Sequence, residues 1–131
     1  MKQTFLVVDD DPIALEVARE RLEQLGFEVT TRLEVLGTST WIAENEPDFI
    51  LLDVMMPALS GSELAKVIKR RDFRTGIILY SSKPRAELDA LVRQTGALGA
   101  IGKDCDARRF SSQLLLLIGG GAPLSAAQGK S

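Results

Sequence analysis

An apolar run that ends in a carboxylate constrains the fold of this chain most strongly. Residues 49–52 are Phe-Ile-Leu-Leu, and Asp53 follows at once. Four apolar residues without alternation are typical of a strand that is buried on both faces, as in a parallel sheet. Pro57 and Gly61 then indicate a loop. We therefore expect Asp53 at the carboxyl end of a central strand, where open α/β sheets hold their functional groups.

Strands and helices alternate along the rest of the chain. Apolar or alternating runs predict further strands at 5–8, 27–30, 76–80 and 98–101. Helical spacing predicts helices at 12–25, at 33–46 with an irregular start, at 62–71 and at 84–92. A last helix runs to 118 and is capped by Asp104 or Asp106. This pattern predicts a doubly wound α/β domain with five parallel strands, right-handed crossovers and the strand order 2-1-3-4-5. The second strand alternates in polarity, so we expect it near an edge of the sheet.

Size and composition indicate one globular domain over residues 1–118. The stretch 119–131 is rich in Gly, Ala and Ser, which predicts a flexible tail or a linker to a missing domain. The net charge of −2 gives no reason to expect nucleic acid or an anionic membrane as a partner. No apolar run reaches the length of a membrane-spanning helix. The single Cys105 and the absence of a signal-like start favour the cytoplasm.

The chain contains no histidine. This excludes Ser-His-Asp and Cys-His catalysis, and it excludes the usual zinc sites. The chemistry of this chain must therefore use carboxylates, hydroxyls, lysine or a hard metal ion.

Polar residues follow four of the five predicted strands. Asp9 and Asp10 follow the first strand, Asp53 the third, Ser81 the fourth and Lys103 the fifth. Each has an ordinary explanation by itself: the acidic residues and the serine could cap helices, and the lysine could be solvated. The predicted topology, however, brings all of them to one edge of the sheet. We therefore expect one shared crevice.

This set of side chains favours phosphoryl transfer. Three carboxylates in one crevice repel each other and stay ionised only beside a cation. Oxygen ligands in an open site suit Mg²⁺, with Mn²⁺ as the alternative ion. Asp53 is then a candidate nucleophile, since carboxylates form aspartyl phosphates. Lys103 would neutralise phosphoryl charge, and Ser81 would donate a hydrogen bond to a phosphoryl oxygen.

The motifs resemble those of response-regulator receiver domains in two-component signalling. The resemblance covers residues 3–118 and rests on Leu-Val-Val-Asp-Asp at 6–10, Leu-Asp at 52–53 with Met-Pro at 56–57 and Gly61, Ser-Ser at 81–82, and Lys103. It implies a flavodoxin-like, CheY-like three-layer sandwich. It also implies a phosphorylation-dependent switch in a phosphorelay, which is not an enzyme in the usual sense but assists its own phosphorylation and dephosphorylation.

The resemblance also implies roles for the site residues. Asp53 would accept a phosphoryl group from a sensor histidine kinase or a histidine phosphotransfer protein. Asp10, Asp53 and the backbone carbonyl of Met55 would bind Mg²⁺, with Asp9 assisting, and Ser81 and Lys103 would hold the phosphoryl group. The signal would then reach a downstream protein target or a missing output domain through the face formed by the last two helices and the last strand.

Three positions depart from the family pattern. Ala100 stands where receivers usually carry an aromatic switch residue, so the usual readout is not expected. Asp104 replaces the proline that normally follows the lysine, which predicts a trans Lys103–Asp104 bond and a displaced loop. Met55 and Lys83 flank the site in place of residues that help to hold a hydrolytic water, which predicts a long-lived phosphate.

The run at 114–117 is Leu-Leu-Leu-Leu. It exceeds a single buried stripe, which suggests a homodimer through the same face of the last two helices and the last strand.

Two rival functions remain open at this point. One is a haloacid-dehalogenase-like phosphatase that would use Asp9 and Asp11, with Asp104 and Asp106 as a late acidic pair. The other is a receiver-like module that docks partners without phosphorylation. A phosphate-binding P-loop that ends at Gly102-Lys103 is excluded by spacing, because its first glycine would fall on Ala97.

Overall fold

A computed structural model describes residues 2–54 and 74–119. The predicted helix at 62–71, the loop from Met55 to Gly61 and most of the predicted tail lie outside the described residues. Five parallel strands form one sheet in the order β2-β1-β3-β4-β5. The predicted fold class and strand order are therefore confirmed. The strands are β1 Thr4–Val8, β2 Glu28–Arg32, β3 Phe49–Asp53, β4 Gly76–Ser81 and β5 Gly99–Gly102.

Four helices are found in the described part of the chain. They are α1 Pro12–Gln24, α2 Thr38–Asn45, α3 Arg85–Thr95 and α4 Ala107–Gly119. None of these four is long and apolar enough to cross a membrane.

The apolar residues of the sheet divide between two cores, one on each face. In β3, Ile50 and Leu52 join the core beneath α2 and α3, whereas Leu51 joins the core beneath α1 and α4. All three side chains are fully buried, and each contributes about 2 kcal/mol of burial free energy. The unbroken apolar run in β3 is therefore explained by helices on both faces.

The edge strand β2 behaves as its alternating sequence predicts. Its five residues are all exposed or half-buried, and it pairs with β1 alone in this sheet.

Helix α1 begins at Pro12, where the sequence predicts a helix to start. The Asp11 carboxylate caps it by accepting a hydrogen bond from the Ile13 N–H at 3.0 Å. The residues that face the sheet are Leu15, Ala18 and Leu22. Ile13 and Val17, which fit an overlapping helical spacing in the sequence, are instead exposed.

The expected irregular start of α2 is confirmed. The helix begins only at Thr38, after Gly37 in the left-handed region at φ 80°. The Arg32 guanidinium organises the connection: its Nε donates to Thr38 Oγ1 and its Nη2 donates to the Leu36 carbonyl, both at 2.9 Å. The arginine side chain thereby supplies a donor to one backbone carbonyl of this irregular connection.

Candidate functional site

Strand register brings the predicted site residues to one edge of the sheet. Val8 pairs with Leu52, so Asp9 and Asp53 each come one residue after a paired position. Ser81, the last residue of β4, pairs with Gly102 of β5, and Lys103 follows. The predicted meeting of Asp9, Asp53, Ser81 and Lys103 at the carboxyl ends of the strands is therefore what the topology produces.

The three carboxylates form a compact acidic cluster. Asp9, Asp10 and Asp53 each offer an oxygen, and these atoms lie within 4.8 Å of one another. Asp9 is fully buried and Asp53 is 3% exposed, whereas Asp10 is exposed. The cluster therefore has two buried carboxylates and one that reaches solvent.

Asp9 is fixed by backbone contacts on one side and by a cation on the other. Its Oδ1 accepts a hydrogen bond from the Asp11 N–H at 3.0 Å, and its own N–H donates to the Arg32 carbonyl at 3.1 Å. Its Oδ2 is buried, and no described residue gives it a hydrogen bond of good geometry. The Lys103 ammonium, 2.7 Å away, is the ion-pair partner of this oxygen.

Lys103 lies between the two buried carboxylates. Its Nζ is also 3.5 Å from Asp53 Oδ2, and its side chain is 22% exposed. Burial favours the neutral amine, but the contact with Asp9 and the charges of Asp53 and Asp9 outweigh it and raise the pKa of Lys103 above its ordinary value. The lysine is therefore a stable cation near neutral pH.

Ser81 is fully buried at the end of β4. Its Oγ accepts a hydrogen bond from the Lys83 N–H at 3.1 Å, and its carbonyl accepts one from the Lys103 N–H at 2.9 Å. Ser81 therefore organises the turn before α3. It is not the cap of that helix, because the N-cap position belongs to Pro84.

The acidic cluster suits a hard divalent cation. All its donors are carboxylate oxygens, which Mg²⁺ and Mn²⁺ prefer. Asp9, Asp10 and Asp53 would hold the ion, and Met55, the predicted carbonyl ligand, lies outside the described residues.

The residues near Lys103 that depart from the receiver pattern can be compared with the structure. No cis peptide bond occurs within residues 2–54 and 74–119, so the predicted trans Lys103–Asp104 bond is confirmed. Asp106 accepts a hydrogen bond from the Arg109 N–H at 2.8 Å, which makes Asp106, and not Asp104, the acid at the start of α4. Asp11, in turn, is occupied as the cap of α1, so it is not placed as the second acid of a phosphatase pair.

One contact beside the site has no counterpart in the sequence prediction. Both terminal nitrogens of Arg85 donate to the carbonyl oxygen of Ala100, at 3.2 and 3.1 Å. No sequence pattern links an arginine in the first turn of a helix to a backbone acceptor fifteen residues further along the chain. Only the packing of α3 against β5 reveals this pair.

The chain belongs to the response regulator receiver domain family, whose family model matches residues 5–115. Receiver domains are phosphoacceptor modules of two-component response regulators, they bind Mg²⁺ at an acidic cluster, and they are not enzymes in the usual sense. Because the chain belongs to this family, the haloacid-dehalogenase-like phosphatase is no longer a candidate function.

The chain is similar to part of a transcriptional regulator. It is 31% identical over 114 residues to the phosphate regulon transcriptional regulatory protein PhoB of Pseudomonas aeruginosa, covering 86% of this chain and 50% of PhoB. The chain therefore spans about half the length of that relative.

Solved receiver domains share the fold. Chemotaxis protein CheY4 of Vibrio cholerae superimposes with a TM-score of 0.81 at 22% identity, covering 89% of this chain and 99% of CheY4. The BeF3-activated receiver domain of DrrB, a Thermotoga maritima protein, gives a TM-score of 0.75 at 28% identity, covering 90% of this chain and 98% of that chain.

Proposed function

We propose that this chain is a phosphorylation-dependent switch that accepts a phosphoryl group on Asp53 from a sensor histidine kinase or a histidine phosphotransfer protein. One observation carries the proposal. Asp53 is a buried carboxylate with one oxygen within 4.8 Å of an oxygen of Asp9 and an oxygen of Asp10. Its Oδ2 lies 3.5 Å from the Lys103 ammonium. Two further acids that suit a divalent cation, and one fixed cation, are what transfer to a carboxylate requires.

The proposed reaction is a displacement at phosphorus. A carboxylate oxygen of Asp53 forms the new P–O bond while the P–N bond of the donor phosphohistidine breaks. The bonding electron pair leaves with the imidazole nitrogen. When bound, Mg²⁺ neutralises charge on the phosphoryl oxygens. The chain's own contribution is to hold the nucleophile and its neighbours in place, which accounts for much of the acceleration in phosphoryl transfer.

Lys103 and Ser81 have complementary roles in this proposal. The ammonium, protonated near neutral pH, lies beside the position that phosphoryl oxygens would occupy on Asp53. The Ser81 hydroxyl would donate a hydrogen bond to one of these oxygens while remaining at the head of the turn into α3.

The output is proposed to lie outside the described residues. PhoB is named as a transcriptional regulator, and this chain covers half of it, so either a downstream protein or an output domain would receive the signal. The predicted homodimer would use α4, where Leu115 and Leu116 are 50% and 76% exposed. We propose that this switch acts in the cytoplasm.

The deciding experiment is intact-mass spectrometry after incubation with acetyl phosphate and Mg²⁺. We expect one phosphoryl adduct that requires the metal, disappears in Asp53→Ala and persists in Asp89→Ala, a control acid that lies on α3 and is about half exposed. An adduct that survives in Asp53→Ala would move the phosphoacceptor to another residue.

A second candidate function is a docking module that signals without phosphorylation. The buried Ala100 favours it, because a methyl group cannot swing between two positions as an aromatic ring can. Absence of any adduct with Mg²⁺ or Mn²⁺ would support this candidate.

A further inference from the structure

Arg85 ties the start of α3 to the last strand of the sheet. It is the first residue of the helix, and its two terminal nitrogens both donate to one acceptor, the Ala100 carbonyl oxygen, at 3.2 and 3.1 Å. Hydrogen bonds from an ionised donor are roughly twice as strong as neutral ones. β5 is an edge strand, so Arg85 holds an element that only β4 supports within the sheet.

The Arg85–Ala100 contact is connected to the acidic site at both ends. Along the chain, Arg85 comes four residues after Ser81, whose Oγ fixes the intervening turn through the Lys83 N–H. Ala100 comes three residues before Lys103, whose N–H donates to the Ser81 carbonyl. These links form a closed ring: from Ser81 through the turn to Arg85, across to Ala100, along the chain to Lys103 and back through the Lys103–Ser81 hydrogen bond. Ser81 and Lys103 are two of the residues proposed to hold the phosphoryl group. A displacement of Ser81 or Lys103 must be taken up within this ring.

Arg85 also has room and an alternative partner. Its side chain is 55% exposed, and its Nε lies 3.9 Å from Asp89 Oδ1 on the next turn of α3. It lines a groove of about 430 Å³ between α3 and α4, together with Leu88, Gly102 and Arg109. Release of Arg85 from Ala100 would change both the shape and the charge of this groove.

We propose that Arg85 is the positioning residue that transmits the state of the Asp53 site to the groove between α3 and α4. The methyl side chain of Ala100 cannot swing between two positions as an aromatic ring can. The backbone carbonyl of Ala100, held by Arg85, therefore provides the connection between the Asp53 site and the groove. This inference rests on the proposed phosphorylation of Asp53. Arg85 contacts Ala100 and Asp89, and neither of these residues is proposed to bind the metal or phosphoryl oxygens.

The test uses the full chain labelled with ¹³C at alanine methyl groups. The Ala100 resonance, assigned by its loss in Ala100→Gly, is followed while beryllium fluoride and Mg²⁺ are added as a phosphoryl mimic. The variants are Arg85→Gln, the conservative Arg85→Lys and a control, Arg93→Gln, which removes an exposed arginine from the last turn of the same helix. Acetyl phosphate labelling of Asp53 is measured in all four proteins.

We expect a clear Ala100 shift in the wild type and in Arg93→Gln, less than half of that shift in Arg85→Gln, and an intermediate value in Arg85→Lys. Labelling of Asp53 should stay within about twofold in every variant, because Arg85 lies outside the reacting groups. An undiminished shift in Arg85→Gln with normal labelling would overturn the inference and leave the proposed function intact. Loss of labelling in Arg85→Gln would also overturn it, because the residue would then act on the site itself. No adduct in the wild type would overturn the proposed function and this inference with it.

Discussion

The ammonium of Lys103 lies closer to Asp9 than to Asp53: its Nζ is 2.7 Å from Asp9 Oδ2 and 3.5 Å from Asp53 Oδ2. In this state, the lysine mainly compensates a carboxylate of the proposed metal site and only secondarily the proposed nucleophile. The charge at the site is therefore partly balanced before any metal or phosphoryl group arrives.

Replacing Lys103 should show how much its ammonium stabilises the folded state by compensating Asp9 and Asp53. Lys103→Met leaves two buried carboxylates without their cation, and we expect the free energy of unfolding to fall by about 1–3 kcal/mol in metal-free buffer. Because Mg²⁺ can take over the compensation, it should stabilise this variant more than the wild type. Urea denaturation with EDTA and with saturating Mg²⁺ measures both effects. Lys83→Met is the control, and an equal gain from Mg²⁺ in both proteins would contradict the prediction.

Removing a carboxylate should have the opposite effect. Asp53→Asn reduces the repulsion among three clustered acids, so we expect it to be more stable than the wild type in EDTA, by about 1 kcal/mol. Its gain from Mg²⁺ should be smaller, since the site loses one negative charge. Thermal denaturation with and without the metal checks this. Glu44→Gln, which changes an exposed acid on α2, should leave both values unchanged.

The raised pKa of Lys103 predicts an alkaline limit on its contribution to stability. Since the folded state holds the proton more tightly than the unfolded chain does, the contribution is fully present below the ordinary pKa of 10.5 and is lost as the pH rises through the folded value. The difference in unfolding free energy between the wild type and Lys103→Met should therefore be constant from pH 7 to 9 and shrink above about pH 10.5. A difference that grows above pH 10.5 would have the wrong sign.

Gly99 is predicted to be required for the packing of α4 on β5. A Cβ at this position would clash with Leu117 Cδ2 and lie 3.0 Å from its Cδ1. Gly99→Ala should therefore cost about 1–3 kcal/mol through overpacking. Gly119→Ala is the matched control, because a Cβ there meets no atom within 4 Å. Equal stability of the two variants would show that Leu117 moves aside freely.

A phosphoryl group accepted on Asp53, as proposed, is expected to persist. Lys83 lies two residues after Ser81 and its Nζ is 3.7 Å from Glu87 Oε1, so this position offers an ammonium and not a group that accepts a hydrogen bond from an attacking water. Lys83→Glu should shorten the lifetime of the adduct. The decay of the adduct by intact-mass spectrometry measures it. Loss within seconds in the wild type would count against the prediction.

The sheet and the meeting of its strand ends were predictable because both follow from periodicity. An unbroken apolar run identifies β3, alternation identifies β2, and a parallel topology then places Asp9, Asp53 and Lys103 at one edge. No step in this reasoning requires knowledge of how side chains pack.

The contacts that depend on packing between distant elements were not predictable. The buried stripe of α1 was ambiguous because Ile13 and Leu15 both fit helical spacings, and the orientation of the helix on the sheet decides between them. The preference of Lys103 for Asp9 and the contact between Arg85 and Ala100 likewise depend on distances between elements that no local pattern encodes.

The pairing of Val8 with Leu52 has a consequence for how this domain can vary. Asp9 directly follows Val8, and Asp53 directly follows Leu52. Deleting one residue within β1 or β3 would therefore displace the acid at the end of that strand by about 3.3 Å and turn its side chain to the opposite face of the sheet. Length changes in the β2–α2 connection carry no such penalty, because no acid of the cluster depends on it for its position. Viable relatives should therefore differ in length at that connection and keep these two strands free of insertions and deletions.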